Sequence, residues 1–357
     1  MRSMANEPVK QRESYYDNLK FLLIMLVVVG HVVNHTGDLF PPLKALYSWI
    51  YMFHMPAFVF VSGMFAKSIY TRERGLRVSS LLFYVIMFVL FYFALWGWIH
   101  LCYDQPAFKL FFPSSIQWYF LTMAIWGLTT PLVSRAPGGA KLVLPISIAL
   151  ALAIGFADYQ YDFLSIGRAI AFAPFYYMGY FLSVKGFEGW VSRARARKWP
   201  VVLALAVLVG IFAFELLGPS SITGAFPELL TGRSSYMMYE AFPLWGAMLM
   251  RLLAMTLAFA MGTAFAILTP TGKTLFTGMG SRTMQVYILH AFVYYLFDGF
   301  KLENAIAPFL PWSGWGLIVF AIGLTFLLAA PKFPEKAMRR LRKALTRFDR
   351  PARIAGS

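Results

Sequence analysis

Apolar residues along this chain gather in runs of roughly twenty, broken by short polar stretches, and ten such runs can be traced. They extend over Asp17 to His35, Leu43 to Ile69, Leu76 to Leu101, Ser115 to Val133, Lys141 to Ala157, Asp162 to Val184, Trp199 to Leu217, Ala241 to Leu268, Ser281 to Gly299 and Trp312 to Ala330. A helix needs about 20 predominantly apolar residues to cross a bilayer, so each run predicts a membrane span, the fifth short and the eighth long. The expected fold is all-α: a polytopic integral membrane protein of about ten transmembrane helices. Residues 1–16 form a polar leading segment, 17–330 the membrane domain and 331–357 a basic tail. The first run has no small-residue cleavage site and reads as a retained helix rather than a signal peptide. No internal repeat of transporter type is visible, and no soluble domain fits between the runs.

The polar stretches set an orientation. One alternate set carries Arg72, Arg74 and Arg77; Arg135 and Lys141; Lys185, Arg193, Arg195, Arg197 and Lys198; and Lys273 and Arg282. The other is poor in cations and holds Asp38, Asp104, Asp158, Asp162, Glu228 and Asp298. With Arg2, Lys10 and Arg12 at the start and a basic tail at the end, the positive-inside rule puts both termini in the cytoplasm. The tail from Lys332 to Arg353 reads either as an amphipathic helix on anionic lipid or as a solvated basic extension.

Composition agrees with this class. Hydrophobic residues make up 59% of 357 and charged residues 13%, about half the usual share of a soluble domain. The mean hydropathy is +0.62. A net charge of +16 raises nucleic acid as a partner, but the cations crowd into short loops where membrane anchoring explains them, so no nucleic-acid role is expected. The single cysteine, Cys102, excludes an internal disulfide and a Cys-based metal site.

Within the apolar runs a few polar groups stand out, because ionisable residues in a bilayer are costly and mark cavities or partners. Lys20 and His31 bracket ten uncharged residues. Eleven positions are close to three helical turns, which puts them within about 20° around the axis and roughly 16 Å apart along it. Asp17 lies one turn before Lys20 on the same side. His54 falls near the middle of the second run, beside Pro56, which should kink that helix. Ser62-Gly63 follows and permits close helix contact. Tyr287 and His290 share one face of the ninth run, and Arg168 lies about a turn into the sixth. His35 and His100 sit at the outer interface, where solvation accounts for them. Trp96-Gly97-Trp98 and Trp118-Tyr119 read as interface belts. Together, imidazoles, a Lys and an Arg at several heights describe a polar passage.

The runs Tyr16-Asp17-Asn18-Leu19-Lys20, Val29-Gly30-His31, Ile50-Tyr51-Met52-Phe53-His54-Met55-Pro56 and Phe60-Val61-Ser62-Gly63 resemble the membrane-bound acyltransferase-3 family. Within it they are most similar to the fucose 4-O-acetylase and Nod-factor acetyltransferase branch. A basic residue, ten residues and then His is the family signature, carried here by Lys20 and His31. Its second signature, Arg-x-x-Arg beside the third helix, is Arg74-Gly75-Leu76-Arg77. Arg168, Pro174-Phe175, Gly179-Tyr180 and Tyr287-Ile288-Leu289-His290 also look like the family. Lys stands at 20 where many members have Arg, and Trp118-Tyr119 stands where Trp-Phe is usual. A Lys lacks the planar fork with which Arg grips an anion.

This resemblance implies transfer of an acyl group, usually acetyl from acetyl-CoA, to a sugar hydroxyl on a cell-surface or lipid-linked glycan. Acetyl-CoA is then a co-substrate, with no tightly bound cofactor and no metal expected. His31 is the expected general base, since neutral imidazole has a suitable pKa for taking a hydroxyl proton. Lys20, His54 and His290 are candidate donors to the developing oxyanion, and Asp17 would hold Lys20. Arg72, Arg74 and Arg77 suit the phosphates of CoA, with Ser62 and Tyr287 also assigned to the donor. Arg168, Gln117 and Trp118 are assigned to the acceptor. The expected location is the inner, cytoplasmic membrane. Two rivals use the same residues: a transporter or flippase for a sugar-linked lipid, and a haem carrier ligated by His31 and His54.

Overall fold

The computed structural model describes residues 7–34, 40–102, 109–113, 116–157, 163–239, 243–309 and 312–349. His35 and the loop acids Asp38, Asp104, Asp158 and Asp162 lie outside the described residues. Each of the ten apolar runs is occupied by a helix: α1 (Glu7–Asn34), α2 (Pro41–Phe65), α3 (Val78–Cys102), α4 (Trp118–Arg135), α5 (Ala140–Ala153), α6 (Ile166–Phe181), and, after the intervening α7 (Val184–Arg195), α8 (Lys198–Leu217). Two short helices, α9 (Ser220–Thr223) and α10 (Ala225–Thr231), lead to α11 (Leu244–Leu268) and α12 (Thr283–Gly299). α13 (Leu302–Ile306) precedes α14 (Trp312–Ala329), and α15 (Phe333–Leu345) lies in the basic tail. The described strands are β1 (Tyr70–Thr71) and β2 (Gly75–Leu76), an antiparallel hairpin pairing Tyr70 with Leu76 and Thr71 with Gly75.

The protein is an all-α polytopic membrane protein. Five described helices, Ser14–Asn34, Pro41–Ser68, Val78–Cys102, Lys198–Leu217 and Leu244–Leu268, are long and apolar enough to cross a bilayer. Gly314–Ala329 and Phe333–Phe348, bent by 51°, make a sixth if taken as one span. The other runs fold into helices of 14 to 18 residues, shorter than their apolar stretch because turns and 3₁₀ segments take up the ends. α2 continues unbroken through Pro56.

The chain divides into two compact units. The first comprises Met1–Phe58, Lys185–Pro227 and Met255–Lys332. In it α1 packs against α12, α14 and the 3₁₀ turns at Thr277–Arg282. Phe21 on α1 meets Phe276 and Phe326 with ring centroids 5.1 Å away in each case. The start of α1 is fixed by the fully buried Asn18. Its amide donates to the Pro270 and Gly272 carbonyls at 2.9 and 2.8 Å, and its oxygen accepts from the Thr274 and Thr277 hydroxyls at 3.0 and 2.6 Å. All four hydrogen-bonding capacities of that amide are met, the condition for burying it without a desolvation penalty. Gly280 lies against the Asp17 backbone, where any Cβ would collide.

The second unit comprises Val59–Val184, Glu228–Ala254 and Phe333–Ser357. α3 pairs with α4, α5 with α6, and α15 folds onto α3, where the Arg342 guanidinium lies 4.1 Å over the Phe83 ring. Asp349 caps the start of α3, accepting from the Ser79 N–H at 2.9 Å and its hydroxyl at 2.8 Å. Gly63 on α2 faces the Tyr176 carbonyl of α6, and Gly179 on α6 faces the Phe60 carbonyl of α2. This reciprocal pair of bare Cα positions brings two backbones together, the packing that small residues provide in membranes. Arg251 on α11 is buried and held by three carbonyls, donating to Leu229 at 2.8 Å, Ala151 at 3.0 Å and Ser234 at 3.4 Å. Its guanidinium also lies 4.6 Å over the Tyr236 ring.

Candidate active site

The first unit gathers three imidazoles. His31 comes from α1, Tyr51 and His54 from the first half of α2, and Tyr287, His290 and Tyr294 from α12. Ring centroids lie 5.2 Å apart for His31 and His290, and 5.1 Å apart for His31 and Tyr294. Tyr51 lies 4.8 Å from His54, and Tyr287 5.9 Å from His290. The cluster arises because each residue sits on the inward stripe of its own helix, three or four positions from the next polar one.

The hydrogen bonds assign different roles to the three rings. His54 Nδ1 lies 2.7 Å from the Ile50 carbonyl and His290 Nδ1 3.0 Å from the Val286 carbonyl. A carbonyl only accepts, so both Nδ1 atoms carry the hydrogen, and in the neutral rings Nε2 holds a lone pair. His290 Nε2 is buried without a hydrogen-bond partner among the described residues. Neutral His54 and His290 therefore present acceptors, and either would need a second proton to donate to an oxyanion. His31 Nδ1 instead meets the Tyr51 hydroxyl at 3.1 Å. When Nδ1–H donates to that oxygen, Nε2 of His31 is the basic atom. His31 is half-buried, whereas His54 and His290 are buried.

At the other end of α1, Lys20 Nζ bonds Asp17 Oδ1 at 2.7 Å, with both side chains 27% exposed. A pair so open to its surroundings contributes about 0–1 kcal/mol. Its effect is positional, holding the ammonium at the turn that Asn18 and Gly280 anchor.

The remaining predicted residues belong to the second unit. The hairpin carries Arg72 and Arg74 exposed at its tip, where Thr71 Oγ1 accepts from the Arg74 N–H at 3.1 Å. Gly75 closes the turn with φ +73°, a left-handed conformation natural to glycine. Arg77 faces Asp349, Nε to Oδ2 3.7 Å, so the Arg-x-x-Arg pair has one exposed member and one engaged with a carboxylate. Ser62 hydrogen-bonds the Tyr119 hydroxyl at 2.6 Å. Gln117, Trp118 and Arg168 cluster: the Arg168 guanidinium lies 5.4 Å over the Trp118 ring and donates to the Pro113 carbonyl at 3.2 Å. Trp118 also stacks on Phe172 at 5.2 Å. Gln117 is buried, with Oε1 lacking a hydrogen-bond partner among the described residues.

The family model of the acyltransferase domain, Acyl_transf_3, matches residues 13–332 of this sequence. The chain belongs to this family. The protein is therefore an acyltransferase of the membrane, which decides for an enzyme over the carrier and transporter readings. None of the curated proteins or solved structures compared with it matches. Within this acyltransferase, sequence reasoning missed Tyr51 and Tyr294 as neighbours of His31. It also missed Asn18 as the clamp of α1 and Arg251 as a buried cation. The last had a readable signal, a lone arginine inside an apolar run.

Proposed function

We propose that this acyltransferase O-acetylates a sugar of a cell-surface or lipid-linked glycan, with acetyl-CoA as donor, in the manner of the sugar O-acetylase branch of the family. The observation that carries the reading is His31, whose Nδ1 meets the Tyr51 hydroxyl at 3.1 Å and whose ring lies 5.2 Å from that of His290, about three turns along α1 from the Asp17–Lys20 pair. In this reading His31 Nε2 takes the proton of the acceptor hydroxyl as its oxygen attacks the thioester carbonyl. The tetrahedral intermediate collapses with cleavage of the C–S bond, and the imidazolium returns its proton to the leaving thiolate. Tyr294, its ring 5.1 Å from that of His31, is a neutral hydroxyl of the same cluster assigned to the oxyanion, and the His290 lone pair accommodates the imidazolium formed beside it. Lys20, roughly 16 Å from His31 along α1, acts at the phosphate-bearing end of the donor rather than on the reacting carbonyl.

The orientation that goes with this reading has both termini cytoplasmic and the arginine hairpin facing the CoA pool in the inner membrane. Mass comparison of surface and lipid-linked glycans from cells with and without the protein should reveal an acetyl-sized loss in one glycan species when it is absent. Identical glycan masses in the two strains, with the protein verified in the membrane, would overturn the sugar acceptor.

Arg74 and Arg77 give a second test. Arg74→Ala should raise KM for acetyl-CoA with kcat nearly unchanged, by about 1–3 kcal/mol if one charged hydrogen bond to phosphate is lost. The effect should shrink at high salt, where exposed charges are screened. Arg77→Ala removes the partner of Asp349 as well and should also lower the melting temperature. Steady-state kinetics at two ionic strengths, with a thermal melt, separate the two; an unaltered KM for Arg74→Ala at low salt would leave the hairpin with no part in donor binding.

A further inference from the structure

A crevice of about 440 Å³ lies among α7, α8 and α11, and none of its lining residues belongs to the histidine cluster. We infer that it is a binding site for an anionic phospholipid, whose phosphate sits between Arg193 and Arg197 and whose acyl chain lies between α8 and α11. The lining is divided in the way such a ligand requires. Arg193, Arg197, Trp190 and Trp199 cluster where α7 gives way to α8, while Leu203 and Ala264 belong to the apolar wall. Among the described residues, no acidic side chain lines the crevice to neutralise the two guanidiniums, and the planar fork of each matches phosphate geometry. Tryptophans beside them are the usual side chains at headgroup level.

The crevice is flanked by apolar surface suited to acyl chains: Trp199, Val202 and Val209 on α8 are each 63% exposed. It is also held in shape. Arg195, between the two rim arginines in sequence, donates to the Ile267 carbonyl at 2.7 Å and to the Thr269 carbonyl, which ties α7 to the end of α11. The volume lies in the roughly 300–1,000 Å³ range of specific small-ligand sites. Basic pockets between membrane helices are suited to anionic headgroups in general.

The test uses the full chain purified in non-ionic detergent, with native mass spectrometry counting retained lipid. Phosphatidylglycerol is the anionic probe, phosphatidylcholine the neutral one, and acetyl-CoA the competitor. The wild type should retain phosphatidylglycerol in preference to phosphatidylcholine. The Arg193→Ala/Arg197→Ala variant should retain at least about tenfold less, because two charged contacts are lost. Ala264→Phe, which fills the apolar wall and keeps both arginines, should also lose lipid; melting temperatures near the wild-type value show that the variants are folded. Equal retention by wild type and the double-arginine variant would overturn the site. So would displacement of lipid by acetyl-CoA, joined to loss of acetyl-CoA binding in the double-arginine variant, which would assign the crevice to the donor.

Discussion

Replacing His31 with alanine should lower kcat by roughly 10²–10⁴-fold, the usual worth of a general base, while abundance and membrane insertion stay close to wild type. Insertion is spared because removing a polar group from an apolar span does not oppose it. His31→Gln is the deciding variant. It keeps a hydrogen-bonding side chain that can still meet the Tyr51 hydroxyl, but it has no useful basicity near neutrality. If His31 is the base, glutamine should fail as badly as alanine; if His31 only ties α1 to α2, glutamine should restore most of the turnover. A folded His31→Gln enzyme with near-normal kcat ends the general-base assignment. The wild-type pH profile gives a second mark: a base must be unprotonated to accept a proton, so kcat should rise with pH through one ionisation. That step should vanish from any residual activity of the alanine variant. Lys20→Arg should keep much of the activity because the charge is retained, and Lys20→Ala should not.

The second large effect concerns the fold. Gly63→Val should destabilise the protein severely, because its Cβ would meet the Tyr176 carbonyl and not a side chain that can swing aside. Overpacking typically costs about 1–3 kcal/mol when side chains can adjust. Backbone cannot adjust without parting two helices, so the cost here should reach or exceed the top of that range. This is a large share of a stability of roughly 5–15 kcal/mol. Gly179→Val should behave alike, since it faces Phe60 in the mirror-image contact. Gly210→Val on α8 is the control, because a Cβ there meets nothing within 4 Å. Thermal melts of the three purified variants decide it: a Gly63→Val melting temperature matching that of Gly210→Val would show that the helices tolerate separation.

Much of this was legible in the sequence because one-dimensional signals produced it. The apolar runs mark the helices, and the eleven-residue step from Lys20 to His31 marks one inward stripe. The i, i+3 spacing of Asp17 and Lys20 foretells their ion pair, which forms at 2.7 Å. The partners of His31 were not legible in the same way. Tyr51 and Tyr294 reach it from α2 and α12, and periodicity within one helix says nothing about which faces of distant helices meet. The tautomers of His54 and His290 likewise depend on carbonyls one turn back, which every helix offers and only some side-chain rotamers use. Asn18 illustrates the reverse difficulty. It lies inside the motif that carries the family resemblance, yet its four hydrogen bonds go to residues 270–277 and secure the start of α1. A motif read as chemistry thus contains its own scaffold.

The cap that Asp349 places on α3 joins positions 270 residues apart in sequence. Chain synthesis proceeds from the N-terminus, so α3 and its arginine hairpin emerge long before their capping carboxylate exists. Until then the first amides of α3 must be satisfied by water or lipid headgroups, and Arg77 stands without its carboxylate. The arginine-bearing edge of the second unit therefore belongs to the late stage of maturation, after the apolar helices have been made. A chain that ended between α14 and Asp349 would hold its apolar helices in the membrane with the start of α3 uncapped and Arg77 without its carboxylate.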